Sequence, residues 1–336
     1  MIGSEAGVWA EVLFVVIGVG LTAYAVTGGA DLGVGIWHLL ARGPRKAAQR
    51  DALHHAIAPI WEANHVWLIF VIVVLFSAFP RAFSALCISL HVPIAIALVG
   101  IVFRGSAYTF TAYGIQRQAR RSEWERVFAW ASALTPVCLG LVVGGVSSGE
   151  IRVVEGRVTS GFFAGWTTPF ALSVGVFSLA LFAMLSAVYL ASDTQGELSN
   201  DFRRRALIME LVAGVFAALT IVLAAWQAPA LYENLSSSSF AVPVQLLTAA
   251  LAFTTMGLLY RSKPRWARFT AAGQVGMVVV GWGFALRGHF ILPDLSLARA
   301  GAHPELMPAL VTALGLGALI LAPALGYLYW VFKRPE

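Results

Sequence analysis

The sequence predicts an all-α polytopic membrane protein with nine transmembrane helices. Of its 336 residues, 59% are hydrophobic and 12% are charged, and the mean hydropathy is +0.77. A soluble domain has about 25% charged residues. The apolar residues are also gathered into long runs, and one helix needs about 20 of them to cross a bilayer. This composition excludes an ordinary soluble enzyme and an intrinsically disordered chain.

Charged segments and Pro/Gly breaks divide the apolar sequence into nine segments within one membrane domain, 1–336. The predicted spans are 9–40, 53–79, 82–103, 127–147, 162–191, 204–226, 241–260, 266–286 and 306–332. The first run is too long for a simple span, so its last turns are expected to emerge at the membrane surface. No basic segment precedes it, so we interpret it as a retained helix rather than a cleaved signal. The pairs Gly29–Gly33, Gly140–Gly144 and Gly281–Gly283 are expected to let helices pack closely.

The basic residues predict an orientation, because Lys and Arg are enriched in cytoplasmic loops. If the N-terminus is outside, 18 of the 23 basic residues fall in inner loops and five in outer loops. The inner residues are Arg42, Arg45, Lys46, Arg50, Arg104, Arg117, Arg120, Arg121, Arg126, Arg203, Arg204, Arg205, Arg261, Lys263, Arg265, Arg268, Lys333 and Arg334. We therefore expect the N-terminus outside and the C-terminus in the cytoplasm. Topology explains most of the net charge of +6, so no nucleic-acid partner is indicated.

Ionisable side chains within the predicted spans are the candidate functional residues, because an acidic group at mid-bilayer costs about 2.5–3.5 kcal/mol on insertion scales. They are Glu11, Asp31, His54, His55, Glu62, His65, His91 and Glu210. Glu62 would lie nine residues into span 53–79, about 13 Å deep at 1.5 Å per residue. His65 is one turn further on, and Pro59 would kink the helix below.

A buried carboxylate beside an imidazole is suited to passing protons, because both groups can change charge near neutral pH. The alternative for Glu62 is a structural polar cluster that hydrogen-bonds helices together. Asp31 lies near the inner end of the first span, where helix capping or pairing with an arginine explains it equally well. His54 and His55 are expected at the inner interface.

Two other functions remain open on these residues. The pair His65 and His91 could ligate a haem between two helices, although a hydrogen-bonded core histidine is the commoner case. Glu62, Asp31 and Glu210 could instead coordinate the coupling ion of a secondary transporter.

No metal site is predicted from residue spacing. Cys87 and Cys138 lie in separate apolar runs, and no zinc-type spacing of Cys and His occurs in the sequence.

Three segments in the first third of the chain carry a resemblance to a known family. Residues 21–37, LTAYAVTGGADLGVGIW, resemble the pattern DGFDLGVG at the end of a first helix. Residues 59–69, PIWEANHVWLI, resemble P-x-W-D-[GA]-N-x-V-W-L in a second helix, and Phe103-Arg104-Gly105 resembles the Phe-Arg step that ends a third. With these motifs the chain resembles subunit II of the bacterial cytochrome bd-type quinol oxidases, including the cyanide-insensitive ones.

The resemblance implies two four-helix bundles plus one peripheral helix, in the bacterial cytoplasmic (inner) membrane. It implies a heterodimer with subunit I, which in that family holds two b-type haems, one d-type haem and the quinol site. This chain would then bind no haem itself, and the complex would oxidise quinol and reduce O2 to water. A small single-helix subunit, and a structural quinone or lipid, are further partners that the resemblance allows.

The resemblance also implies roles for residues. Glu62 matches a carboxylate on a proton path toward the oxygen-reducing haem of subunit I, and Trp67 lies near a proposed oxygen route. The full set of matching polar-motif positions is Glu62, Asp31, Trp61, Asn64, Trp67 and Arg104, with His65 beside them. Gly28 and Ala30 stand where the family has an acidic and an aromatic residue, and Glu62 replaces an aspartate. These departures indicate a divergent branch.

Overall fold

The computed structural model describes residues 2–57, 61–111, 118–237, 240–303 and 305–332. Within these ranges the chain is almost entirely helical. The helices are α1 (Ile2–Leu39), α2 (Lys46–Ile57), α3 (Trp61–Ala78), α4 (Pro80–Ser89), α5 (His91–Thr109), α6 (Gln118–Ser147), α7 (Pro169–Asp193), α8 (Gly196–Gln227), α9 (Pro229–Ser237), α10 (Ala241–Tyr260), α11 (Pro264–Ala285), α12 (Leu297–Ala300) and α13 (Leu306–Phe332).

Two short antiparallel hairpins complete the described structure. One pairs β1 (Val153–Val154) with β2 (Arg157–Val158), and the other pairs β3 (His289–Ile291) with β4 (Leu295–Ser296). Both lie in loops between long helices.

The predicted spans 241–260 and 306–332 coincide with α10 and α13. The prediction was wrong at the start of span 162–191, because α7 begins at Pro169. Thr168 is its N-cap, and its hydroxyl accepts a hydrogen bond from the backbone N–H of Ala171. A proline in the first turn after a threonine cap is a strong helix start. Residues 162–168 therefore belong to the preceding loop, although they are partly apolar.

The single predicted span 82–103 was also wrong at its start. After α3 ends, the chain turns by 117° into α4, and α5 begins only at His91. Pro80 can begin α4 but cannot extend the hydrogen-bond ladder of α3, because it has no N–H. The Phe79 ring at this bend is fully buried and packs 4.6 Å from the ring of Phe290. The bend is thus held by contacts distant in sequence.

Helix α1 lies at the centre, packed against α3, α6, α7 and α11. A Cβ atom at Gly33 would lie 2.1 Å from the backbone oxygen of Phe182 on α7, so only glycine allows this approach. The pair Gly140–Gly144 makes a similar contact with the α7 backbone. Close packing is confirmed for Gly29–Gly33 and Gly140–Gly144, and for Gly281, where a Cβ atom would lie 3.1 Å from Val244 of α10. The prediction was wrong for Gly283, where an added Cβ atom would meet no atom within 4 Å.

Charged side chains join the loops at one end of the helices. The contacts are Arg45–Asp201 at 2.6 Å, Arg50–Glu125 at 2.9 Å, Arg268–Asp193 at 3.4 Å, and Arg203 to the backbone oxygen of Leu259 at 3.0 Å. They connect four segments that the sequence assigns to inner loops, so these segments lie at the same end. At a different site, Arg152 binds Asp294 at 2.7 Å and ties the two hairpins together.

The helices make this a multi-pass membrane protein. Among the described residues, seven helices are long and apolar enough to cross a membrane, namely α1, α5, α6, α7, α8, α10 and α13. The bent pair of α3 and α4 would make eight if it counts as one span. The predicted eighth span, 266–286, corresponds to α11, which is outside this set. The count of nine and the orientation of the termini stay predictions.

Candidate functional site

A buried ion pair joins α1 and α5. The Arg104 Nη2 atom lies 2.7 Å from Asp31 Oδ1, and the same nitrogen donates to the Asp31 backbone oxygen at 3.2 Å. The two side chains are only 1% and 5% exposed. The Arg104 guanidinium also lies over the ring of Phe128 on α6, 5.2 Å from its centroid. Of the two roles considered for Asp31, pairing with an arginine is the one observed.

Two further buried polar side chains lie near this pair. Tyr24 is on α1, seven residues before Asp31 and therefore on the same face of the helix. Its ring lies 5.9 Å from the ring of His65 on α3. Among the described residues, the Tyr24 hydroxyl and both ring nitrogens of His65 have no hydrogen-bond partner. Each buried polar atom without a partner needs an explanation, such as a water molecule, an ion or a chemical role.

Glu62 lies in the first turn of α3 and its side chain is exposed at the surface of this chain. The predicted burial of Glu62 is therefore not found within this chain, and its predicted depth in the bilayer stays a prediction. Pro59, the predicted kink, lies outside the described residues. With His65 and residues of α5, Glu62 lines an open groove of about 520 Å³.

The other motif residues of α3 are divided between its two faces. Asn64 and His65 are buried, while Val66 is exposed. Trp67 is half-buried, and its ring meets the edge of Phe70 at 6.3 Å. For Trp61, only the backbone belongs to the described part of the chain.

Gly28 is the position where the related family has an acidic residue. A Cβ atom at Gly28 would lie 2.6 Å from the Tyr24 ring. The tyrosine therefore occupies the space that a side chain at position 28 would need.

The bis-histidine haem hypothesis is wrong. His65 borders the same groove as Ile101 of α5. His91 begins that helix ten residues earlier, about 15 Å away at 1.5 Å per residue. His91 is also exposed, with its Nδ1 2.9 Å from the backbone oxygen of Ile88. Two ligands of one haem iron must approach it from opposite faces within a few ångströms, so these two cannot share one.

The ion-coupled transporter hypothesis is not supported by the positions of its carboxylates. Glu210 of α8 is buried, and its Oε1 accepts a 2.7 Å hydrogen bond from Gln274 of α11. Asp31 is paired with Arg104, and Glu62 is exposed at the surface of this chain. The three acids therefore belong to three separate environments rather than to one ion site.

Sequence reasoning missed Tyr24, Gln274 and the surroundings of His38. At the end of α1, His38 is buried, with its Nε2 4.0 Å from Glu125 Oε2 and its ring 5.9 Å from that of His54. A spacing of seven residues separates Tyr24, Asp31 and His38 and places all three on one face of α1. This spacing could have identified Tyr24 and His38 from the sequence.

Comparison with known proteins gives the relatives of this chain. The family model for cytochrome bd terminal oxidase subunit II matches residues 9–332. Cytochrome bd-I ubiquinol oxidase subunit 2 of Escherichia coli (strain K12) is 30% identical over 209 residues, which cover 61% of this chain and 54% of that protein. The match thus spans about half the length of this relative.

Two further relatives cover more of the chain. Cytochrome bd ubiquinol oxidase subunit 2 of Bacillus subtilis (strain 168) is 22% identical over 278 residues, or 80% of this chain and 79% of that protein. A chain of the bd oxidase from Geobacillus thermodenitrificans has the same fold, with a TM-score of 0.81, 22% identity, and coverage of 98% of this chain and 100% of that one. Because the family model matches nearly the whole sequence, this protein belongs to the family of cytochrome bd terminal oxidase subunit II.

Proposed function

We propose that this chain is the non-haem-ligating subunit II of a bacterial bd-type terminal oxidase, which couples quinol oxidation to reduction of O2 to water. The family match over residues 9–332 is the observation that carries this proposal. The chain would stabilise a haem-bearing subunit I. Two b-type haems and one d-type haem would stay with that partner and supply the electron transfer and O2 chemistry when bound.

The proposed arrangement has nine spans, with the N-terminus outside and the C-terminus in the cytoplasm of a bacterial cell. The bent pair of α3 and α4 and the helix α11 would complete the set. One four-helix bundle would contain α1, α3, α5 and α6, and the other α7, α8, α10 and α11, which is supported by their contacts. Helix α13 would be the peripheral one, since none of its most apolar segment is buried within this chain.

The face that carries Glu62 is the proposed contact with subunit I. A carboxylate facing lipid is costly in free energy, and Glu62 is exposed at the surface of this chain. Its neighbours on α3 and α5 are exposed and apolar, among them Val66, Ile69, Val102 and Phe103. A protein partner on this face would cover both the apolar side chains and the carboxylate. A small single-helix subunit and a structural quinone or lipid would occupy other parts of the surface.

Glu62 is the proposed proton relay into the partner subunit. It shares the groove with His65, whose ring nitrogens have no hydrogen-bond partner among the described residues. The imidazole can both accept and donate a proton. Tyr24 and the pair of Asp31 and Arg104 extend the polar interior behind it.

Substitution of Glu62 in the assembled complex tests the relay. Glu62→Gln keeps the size and removes the titrating group, so we expect O2 reduction to slow by about 100-fold, the lower end of what a positioned acid–base group contributes. Glu62→Asp restores a carboxylate and should recover most of the turnover. Glu197→Gln, an exposed residue elsewhere on the chain, is the matched control.

Haem content and co-purification of subunit I separate the two parts of the proposal. A Glu62→Gln complex with full haem content and unchanged turnover would refute the relay alone. If the purified wild-type chain arrives without a larger haem-bearing membrane subunit, the oxidase assignment itself is wrong.

A further inference from the structure

Two histidines and a glutamate from three helices meet where the basic loops join. His38 is in the last turn of α1, His54 in the last turn of α2, and Glu125 near the start of α6. One ligand atom of each side chain lies within 4.8 Å of the others. The His38 side chain is 4% exposed, and its Nε2 faces Glu125 at 4.0 Å with no hydrogen-bond partner among the described residues.

The helices that carry these side chains are held close together. A Cβ atom at Gly35 would lie 2.1 Å from the Cβ of Ser132, so α1 and α6 touch just beyond the cluster. The Phe128 ring packs against the edge of the His38 ring at 6.1 Å. This packing fixes the backbone positions of His38 and Glu125, which lowers the cost of organising a binding site.

Arg50 lies one turn before His54 on α2 and brings a positive charge to the cluster. It donates a 2.9 Å hydrogen bond to Glu125 Oε2, and Lys46 lies one turn further back on the same helix. A carboxylate has two oxygens with about four lone-pair sites, so Glu125 can accept this bond and still bind a cation. Outer-shell hydrogen bonds of this kind commonly orient ligating carboxylates.

The donor set has a definite chemical preference. Two imidazole nitrogens and one carboxylate oxygen suit first-row divalent ions, and three such ligands with an open fourth position are typical of zinc sites. Zinc–ligand bonds of about 2.0–2.2 Å place tetrahedral ligand atoms about 3.3–3.5 Å apart, so the three side chains need to approach by only about 1 Å. The half-buried His54 and Glu125 leave the cluster reachable from the loop surface.

We propose that His38, His54 and Glu125 bind one divalent transition-metal ion, with Zn²⁺ as the ion that best matches the ligands. No spacing pattern predicts this site, because the ligands are separated by 16 and 71 residues and none is a cysteine. The bound ion would clamp α2 against α1 and α6. The site is separate from Glu62 and does not depend on the proposed relay.

Zinc binding by the purified oxidase complex tests the proposal. The probe is Zn²⁺ alone, with bound metal measured by equilibrium dialysis and elemental analysis, and with haem content as the check of assembly. The wild-type complex should hold one zinc ion more than the His54→Ala complex. Loss of an outer-shell partner lowers metal affinity about 10–100-fold. Loss of the ligand His54 should lower the zinc affinity of this site by more than that. His55→Ala is the matched control, because the adjacent His55 is exposed and faces Asp51.

A conservative replacement separates ligation from structure. A thiolate is a good zinc ligand, so His54→Cys should retain the extra zinc ion, and X-ray absorption at the zinc edge should report one sulfur in place of one nitrogen. Equal zinc in wild type and His54→Ala would overturn the proposal. So would a fully assembled His54→Cys complex that loses as much zinc as His54→Ala.

Discussion

Removing the charge of Asp31 should destabilise the protein strongly. In Asp31→Asn the Arg104 guanidinium keeps its positive charge in a site where its side chain is only 1% exposed. Its remaining contacts at Asp31 and Phe128 would be a backbone oxygen at 3.2 Å and an aromatic ring. Breaking a buried pair by removing one partner costs about 3–5 kcal/mol, because an uncompensated charge is left behind.

The assay is the thermal midpoint of the purified complex in detergent, measured as the fraction that stays monodisperse after heating. At about 2–4 °C for each kcal/mol in a large domain, the midpoint of Asp31→Asn should fall by about 6–20 °C. The control is Glu197→Gln, because Glu197 is 75% exposed and an exposed pair contributes about 0–1 kcal/mol.

A second variant isolates the charge effect. Arg104→Gln combined with Asp31→Asn leaves two neutral amides that can bond to each other, so the double variant should be more stable than Asp31→Asn alone. The reasoning is refuted if Asp31→Asn lowers the midpoint no more than Glu197→Gln does.

Three further predictions use the same thermal measurement. Gly33→Ala should cost about 1–3 kcal/mol by overpacking against α7, whereas Gly18→Ala, which meets no atom within 4 Å, should cost nothing. Trp37→Phe removes a buried 2.9 Å hydrogen bond to an α7 carbonyl and should cost about 1–3 kcal/mol. Burial raises the pKa of Asp294, but hydrogen bonds from Arg152 and a backbone N–H outweigh it, so the pKa lies below its ordinary value of 3.8. The ionised Asp294 stabilises the folded state fully above pH 3.8, and this stabilisation is lost as the pH falls through the lowered pKa. Between pH 5 and pH 2, the thermal midpoint of wild type should therefore fall more than that of Asp294→Asn.

Most helices could be predicted from the sequence, because a bilayer imposes a minimum length on each apolar run. That reasoning placed a break between residues 79 and 82, where the chain turns by 117° from α3 into α4, but it missed the separation of α4 from α5 at Leu90. Pro80 was visible in the sequence, but the packing of Phe79 on Phe290 depends on a contact between residues 211 positions apart. No local pattern carries such information.

The candidate site was predictable as a set of residues but not as an arrangement. Asp31 and Arg104 were both identified, yet their pairing depends on how α1 and α5 pack. The exposure of Glu62 was not predictable, because it depends on how α3 packs against its neighbours and not on depth along the helix. Tyr24 and Gln274 were missed because aromatic and amide side chains in apolar helices are usually part of the core, and only their partners distinguish them.

The arginines that join the loops at one end restrict how this chain can evolve. The cell's insertion machinery responds to such residues when it orients a membrane protein. Here Arg45, Arg50, Arg203 and Arg268 are also anchored to acids or to a backbone oxygen on neighbouring segments. A lineage that moved these charges to the opposite loops would also lose the contacts that join these segments. Membrane insertion and tertiary structure are therefore inherited together.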